Sequence, residues 1–218
     1  MAVFRGITAE EEAASGLMQV LIARKYPGAD RLKPRDHIQK HAVTPFLRSV
    51  IRYFSHLHFP GIKTIRLATM EVDGATRLVT AIQLDESPDG PWVNPTPPLN
   101  ISVREGSEGS APSYKQDFLK VIEPAGYTNI LSFLRAEANV RNQILYAGNE
   151  GYRVISDLRP EFIRDRQMRV LAVLKAALLI SPYEEIQPFV TEAILSFLQL
   201  AARLRAEPDA PTLTWSAS

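Results

Sequence analysis

Two β-prone runs, Ile65 to Val72 and Arg77 to Leu84, meet across Asp73 and Gly74 in the middle of a chain that otherwise reads as helix. An Asp-Gly pair tolerates the positive φ values of a tight hairpin turn, so these runs predict an antiparallel hairpin. Leu99, Ile101 and Val103 alternate with Asn100, Ser102 and Arg104, the pattern of a third strand. Between them, Asp85 to Pro98 holds five prolines and Trp92 and predicts irregular structure. Gly106 to Pro112 reads as a short flexible linker.

Helical spacing governs both flanks. Thr8 followed by Glu11 has the form of a capping box, and Ala13, Ala14, Leu17, Met18 and Leu21 recur at three and four residues. A first helix is therefore expected over 9–25, stopped by Pro27 and Gly28. Pro34 marks a further start, and Thr44 with Pro45 is either a fresh start or a kink. Phe46, Val50, Ile51, Phe54 and Leu57 then line one helical face, with Arg48, Arg52 and His56 opposite.

Beyond the linker, helices are expected over 113–122, 129–146, 160–179 and 182–205, with Pro188 kinking the last or separating its first turn. A short strand is expected over 151–155. The expected fold class is mainly α (α+β), a helical bundle with a small antiparallel β unit inserted in its middle. The parts are N-terminal helices (1–60), a β insert (61–105) and a C-terminal helical part (106–206) packing with the first as one domain. A flexible tail covers 207–218.

Composition narrows function mainly by exclusion. A 45% hydrophobic content supplies a core, and 25 basic against 24 acidic residues means that a polyanion would have to meet a local patch. The absence of cysteine removes disulfide scaffolds, thiolate nucleophiles and cysteine-bound zinc, which points to a reducing cytoplasm. No signal-peptide pattern follows Met1, so secretion is not expected. The longest apolar stretch, Val170 to Ile180, is too short to span a bilayer and reads as a buried core helix, so no membrane partner is expected.

The strongest charge asymmetry runs from Arg31 to Arg66, with eight Lys or Arg against Asp36 alone, and all four histidines lie between His37 and His58. If the helix continues through Pro45, then His37, His41, Arg48 and Arg52 fall within about 60° of one another around its axis. Arginine can clamp phosphate and histidine can shuttle a proton, so the stripe is a candidate nucleic-acid-binding surface. It is equally the solvated face of an ordinary surface helix. His37 and His41 have i, i+4 spacing for zinc, but no third ligand follows at the usual distance, and no metal or cofactor is expected.

Glu10 to Glu12 are accounted for by the first turn of a helix. A small-molecule site between helices and hairpin is a third possibility, for which no sequence feature selects a ligand. Trp92, between Pro91 and Pro95, is a candidate partner-binding residue for a non-catalytic adaptor or regulatory subunit, together with the exposed hairpin edge.

A last cluster is Arg141, Asn142 and Tyr146, where Asn142 and Tyr146 stack at i, i+4 near a helix end. Arg141-Asn142-Gln143-Ile144-Leu145-Tyr146 resembles the Arg-Asn-x-x-x-His signature of HEPN domains, with Tyr146 in the histidine position. Leu145, Tyr146, Gly148 and Gly151 look like the end of the late helix in the abortive-infection branch, and Glu10 to Ala14 like its first helix. The resemblance implies a bacterial defence or toxin-type protein that binds or cleaves RNA without a metal, with catalysis shared across a dimer. Arg141, Asn142 and Tyr146 would be its catalytic cluster.

Overall fold

The computed structural model describes residues 2–56, 61–85, 89–103, 112–145 and 160–206. Six helices and three strands are found there: α1 Ala2–Ala23, α2 His37–His56, β1 Ile62–Val72, β2 Ala75–Leu84, β3 Trp92–Val93, α3 Lys115–Ile122, α4 Ile130–Leu145, α5 Pro160–Ile180 and α6 Pro188–Ala206. The protein is thus mainly helical, with a three-stranded antiparallel sheet between its second and third helices.

Helix α1 begins seven residues earlier than the capping box predicts. Val3 and Ile7 extend the apolar spacing of Ala14, Leu17 and Leu21 towards the N-terminus, and both are buried. Their burial outweighs the local start signal at Thr8, which therefore lies inside the helix. Glu10 and Glu11 consequently sit in mid-helix, and the dipole explanation for them fails.

Asp36 caps α2, its Oδ1 accepting from the Gln39 amide at 3.0 Å. The helix then runs unbroken past Pro45. Phe46 on α2 meets the rings of Tyr114 and Phe197 edge-on at 5.7 and 5.3 Å. That contact ties α2 to the start of α3 and to α6. Helix α1 lies along α5, while α2 packs on α3 and α4, so helices from both ends of the chain share one core.

The hairpin forms as expected, with Asp73 and Gly74 at φ 51° and 74° and Val72 opposite Ala75. Its third strand does not. Trp92 and Val93 pair with Gln83 and Ile82, whereas 99–103 adopts no strand. The reason is local competition from α6 and the turn before it. Gln187 Oε1 takes the Leu99 amide at 2.7 Å, and Glu192 Oε2 takes the Val103 amide at 3.1 Å. Those donors are satisfied by side chains and have no need of a ladder.

The same glutamine redraws the start of α6. Its side chain is fully buried and its Nε2 donates to the Leu179 carbonyl at 2.9 Å, which holds 181–187 in an irregular path. The helix starts at Pro188, where a missing amide hydrogen costs nothing, rather than at Pro182. The expected strand over 151–155 and the tail over 207–218 lie outside the described residues.

Candidate functional site

Helices α1 and α5 carry their acids and most of their basic residues in the N-terminal half and apolar residues beyond it, while α2 presents His37, Lys40 and His41 first and Val43, Phe46 and Val50 further along. Side by side, they build two contrasting places.

The first is a seam of buried charge. Glu11 on α1 accepts from Lys40 Nζ at 3.2 Å, and lies 3.1 Å from His41 Nε2 and 3.4 Å from His37 Nδ1. Its neighbour Glu10 turns to α5, where Arg166 Nη1 donates to it and Arg166 Nη2 reaches Glu137 of α4 at 3.1 Å. Arg169 stands 3.7 Å from Glu10 and pairs with Asp165 at 2.7 Å. Adjacent residues on a helix point about 100° apart, which lets Glu10 and Glu11 serve different neighbours.

Burial sets the protonation here. Desolvation lowers the His41 pKa below its ordinary 6.5 even though Glu11, Glu137 and Glu10 pull the other way. The His41–Glu11 approach is short but is not aligned as a hydrogen bond, so it does not reverse that effect. Burial also pulls Arg166 down, but Glu10 and Glu137 together outweigh it and hold its pKa above the ordinary value. A cation held between two carboxylates in this way is a structural clamp.

The second place is an apolar cleft of about 490 Å³ between α1, α2, α5, α6 and β1. Leu17, Met18 and Leu21 of α1, Val43, Phe46 and Val50 of α2, and Phe189, Ile194 and Phe197 of α6 form its walls. Ile51, Leu67, Met168 and Leu171 stand exposed around it. Among the described side chains lining it, Lys175 alone is charged.

This arrangement corrects the expectation that Val170 to Ile180 is buried throughout. Val173, Leu179 and Ile180 are buried, but Leu171, Leu174 and Leu178 are 42%, 48% and 54% exposed. Helix α5 packs on only one side, although the sequence from Val170 onward is apolar nearly all round.

The expected nucleic-acid stripe is divided between environments. The helix continuity it requires is present, but His41 is buried, His37 faces Glu11, and Arg52 lies 3.7 Å from Asp117 of α3. Arg48 and His37 are exposed, and the Arg52 side chain keeps 40% of its surface in solvent. Burial thereby withdraws His41 from the stripe, while His37, Arg48 and Arg52 keep solvent-accessible side chains.

Arg141 and Asn142 lie on the last turns of α4, with Asn142 exposed; the Arg141 side chain and all of Tyr146 fall outside the described residues. Trp92 is partly exposed on β3, with the Arg66 guanidinium 3.9 Å above its ring. It belongs to the sheet, on the edge strand β3, which pairs with β2 in the order β1-β2-β3.

Sequence reasoning placed a possible ligand site between helices and hairpin but missed the ion seam. The signal for the seam was the Glu10-Glu11 pair at the helical spacing of Ile7 and Ala14, which puts carboxylates on a buried face. Among the described residues, no group of three or more His, Asp or Glu is arranged to hold a metal, and no helix is long and apolar enough to cross a membrane. No family model, curated protein or solved structure matches the chain.

Proposed function

We propose that this chain is a binding protein that works through apolar contact, with the cleft between α1, α2, α5, α6 and β1 as its working surface. The observation that carries this reading is a cleft of about 490 Å³ with a single charged residue among its described lining, rimmed by exposed Ile51, Met168 and Leu171. Pockets of this size and apolarity commonly hold small ligands, and exposed apolar rims mark interaction sites. Such a protein acts by taking up a ligand and passing the consequence to a partner, which is closer to an adaptor or regulatory subunit than to an enzyme. Lys40, His41 and Glu11 support that view, since all three are buried, with Lys40 held by Glu11, and are set back from any substrate.

A neutral apolar fluorophore, N-phenyl-1-naphthylamine, should bind saturably and raise the melting temperature. Ala172→Phe, which fills part of the cleft, and Leu171→Asp at its mouth should each weaken binding at least tenfold while keeping the circular dichroism of the parent. Unchanged binding in both folded variants would sink the proposal. RNA-directed activity is the competing outcome: retention of RNA by the purified protein at low salt, lost on Arg141→Ala, would favour the HEPN-like reading instead.

A further inference from the structure

The cleft has a polarity of its own. Lys175 is half-buried on α5, one turn from Leu171 and one turn from Leu178, both of which are exposed. Its spacing therefore puts it at the rim, while the opposite walls descend to Met18 and Phe46, which are buried. Among the described residues no acid pairs with Lys175; the nearest acid along its helix, Asp165, is engaged by Arg169. One ammonium at the mouth of an otherwise apolar chamber is complementary to a molecule with one anionic head and one apolar tail.

Resting on the reading above, we infer that the cleft takes an anionic single-chain amphiphile of the fatty-acid class, its chain between α1, α2 and α6 and its carboxylate at Lys175. A chamber of about 490 Å³ lies within the range that encloses small ligands. The lysine stem can lie along the apolar rim while its ammonium stays at the water boundary, which is where the head of such a ligand must stop. A second copy of the chain fits this surface less well. Two-fold antiparallel pairing through the stripe Met168 to Leu178 would centre near residue 173 and bring two Lys175 ammoniums together, with no acid on the stripe to separate them.

Straight-chain carboxylates from octanoate to stearate, each below its critical micelle concentration, test this by displacement of the neutral fluorophore. Affinity should rise about fourfold per added methylene until the cleft is filled. Laurate should bind about fivefold more tightly than dodecanol, and Lys175→Met should erase that difference without altering dodecanol binding. Lys175→Glu should reverse it, so that dodecylamine outcompetes laurate.

Equal binding of laurate and dodecanol to the parent protein would overturn the headgroup assignment while leaving the apolar cleft in place. Absence of any chain-length dependence would overturn both. A stable dimer by sedimentation that is broken by Leu171→Asp, with no carboxylate bound, would assign the surface to a second copy and overturn the inference.

Discussion

The charged N-terminal parts of α1 and α5, with the first turns of α2, and the apolar stretches that follow them solve opposite problems with the same three backbones. Where Glu10, Glu11, Lys40 and Arg166 meet, every charge is buried and must find a partner inside the bundle. Further along, Leu17, Val43, Phe46 and Leu179 need no particular partner, and the helices stand apart around a cleft. Directional contacts close the first region, because an unpaired ion there is costly. Dispersion and burial tolerate an open second region, because apolar contact is non-directional. The lesson is that the polar end fixes how the helices are set, and the apolar end is left to bind.

The contrast is sharpest in the response to deletion. Arg166→Ala strands Glu10 and Glu137 and should cost about 3–5 kcal/mol in urea unfolding, whereas Leu171→Ala at the cleft rim should stay within about 1 kcal/mol. Similar losses from the two variants would erase the distinction. Removing the cation together with its carboxylates, as in Arg166→Met with Glu10→Leu and Glu137→Leu, should recover much of the deficit.

A smaller effect separates the regions by pH. The native His41 pKa lies below 6.5, so the unfolded chain takes up its proton first as pH falls. The stability contribution is full above about pH 6.5 and is lost as pH drops towards the lower native value. Glu11, Glu137, Glu10 and Arg166 all face this histidine, and His41→Leu should flatten the slope of stability between about pH 6.5 and the onset of carboxylate protonation near pH 4.3. An unaltered slope in that variant would show that another group carries the transition. Amphiphile binding at Lys175 should be flat over the upper part of the same range.

Smallest of all is the cap of α2. Asp36→Ala removes the acceptor for the Gln39 amide and should lower stability by about 1 kcal/mol in thermal unfolding. Since α2 carries His37, Lys40 and His41 in its first turns, the same variant should speed hydrogen exchange at the seam and leave the amides near Val50 unchanged. Equal acceleration at both ends would mean that the two halves open as one unit.

Much of this fold was legible because it is local. The Asp73-Gly74 turn and the spacing of apolar residues on α4 and α5 act over a few residues, and their elements appear close to where they were expected. The misses share one cause, a side chain distant in sequence. Gln187 and Glu192 took the amides of Leu99 and Val103, so the third strand formed at Trp92 instead. Packing beside Glu11 buried His41, which took one member out of a stripe that helical geometry alone makes continuous.

By itself, the sequence determined that this protein is mainly helical with a hairpin in its middle, because periodicity and turn chemistry are properties of neighbouring residues. Only the tertiary structure decided that Glu10 and Glu11 belong to a buried ion seam, and that α5 keeps one apolar side exposed beside Lys175. Those facts depend on which helix lies against which, and a one-dimensional pattern fixes the character of a face without fixing what it meets.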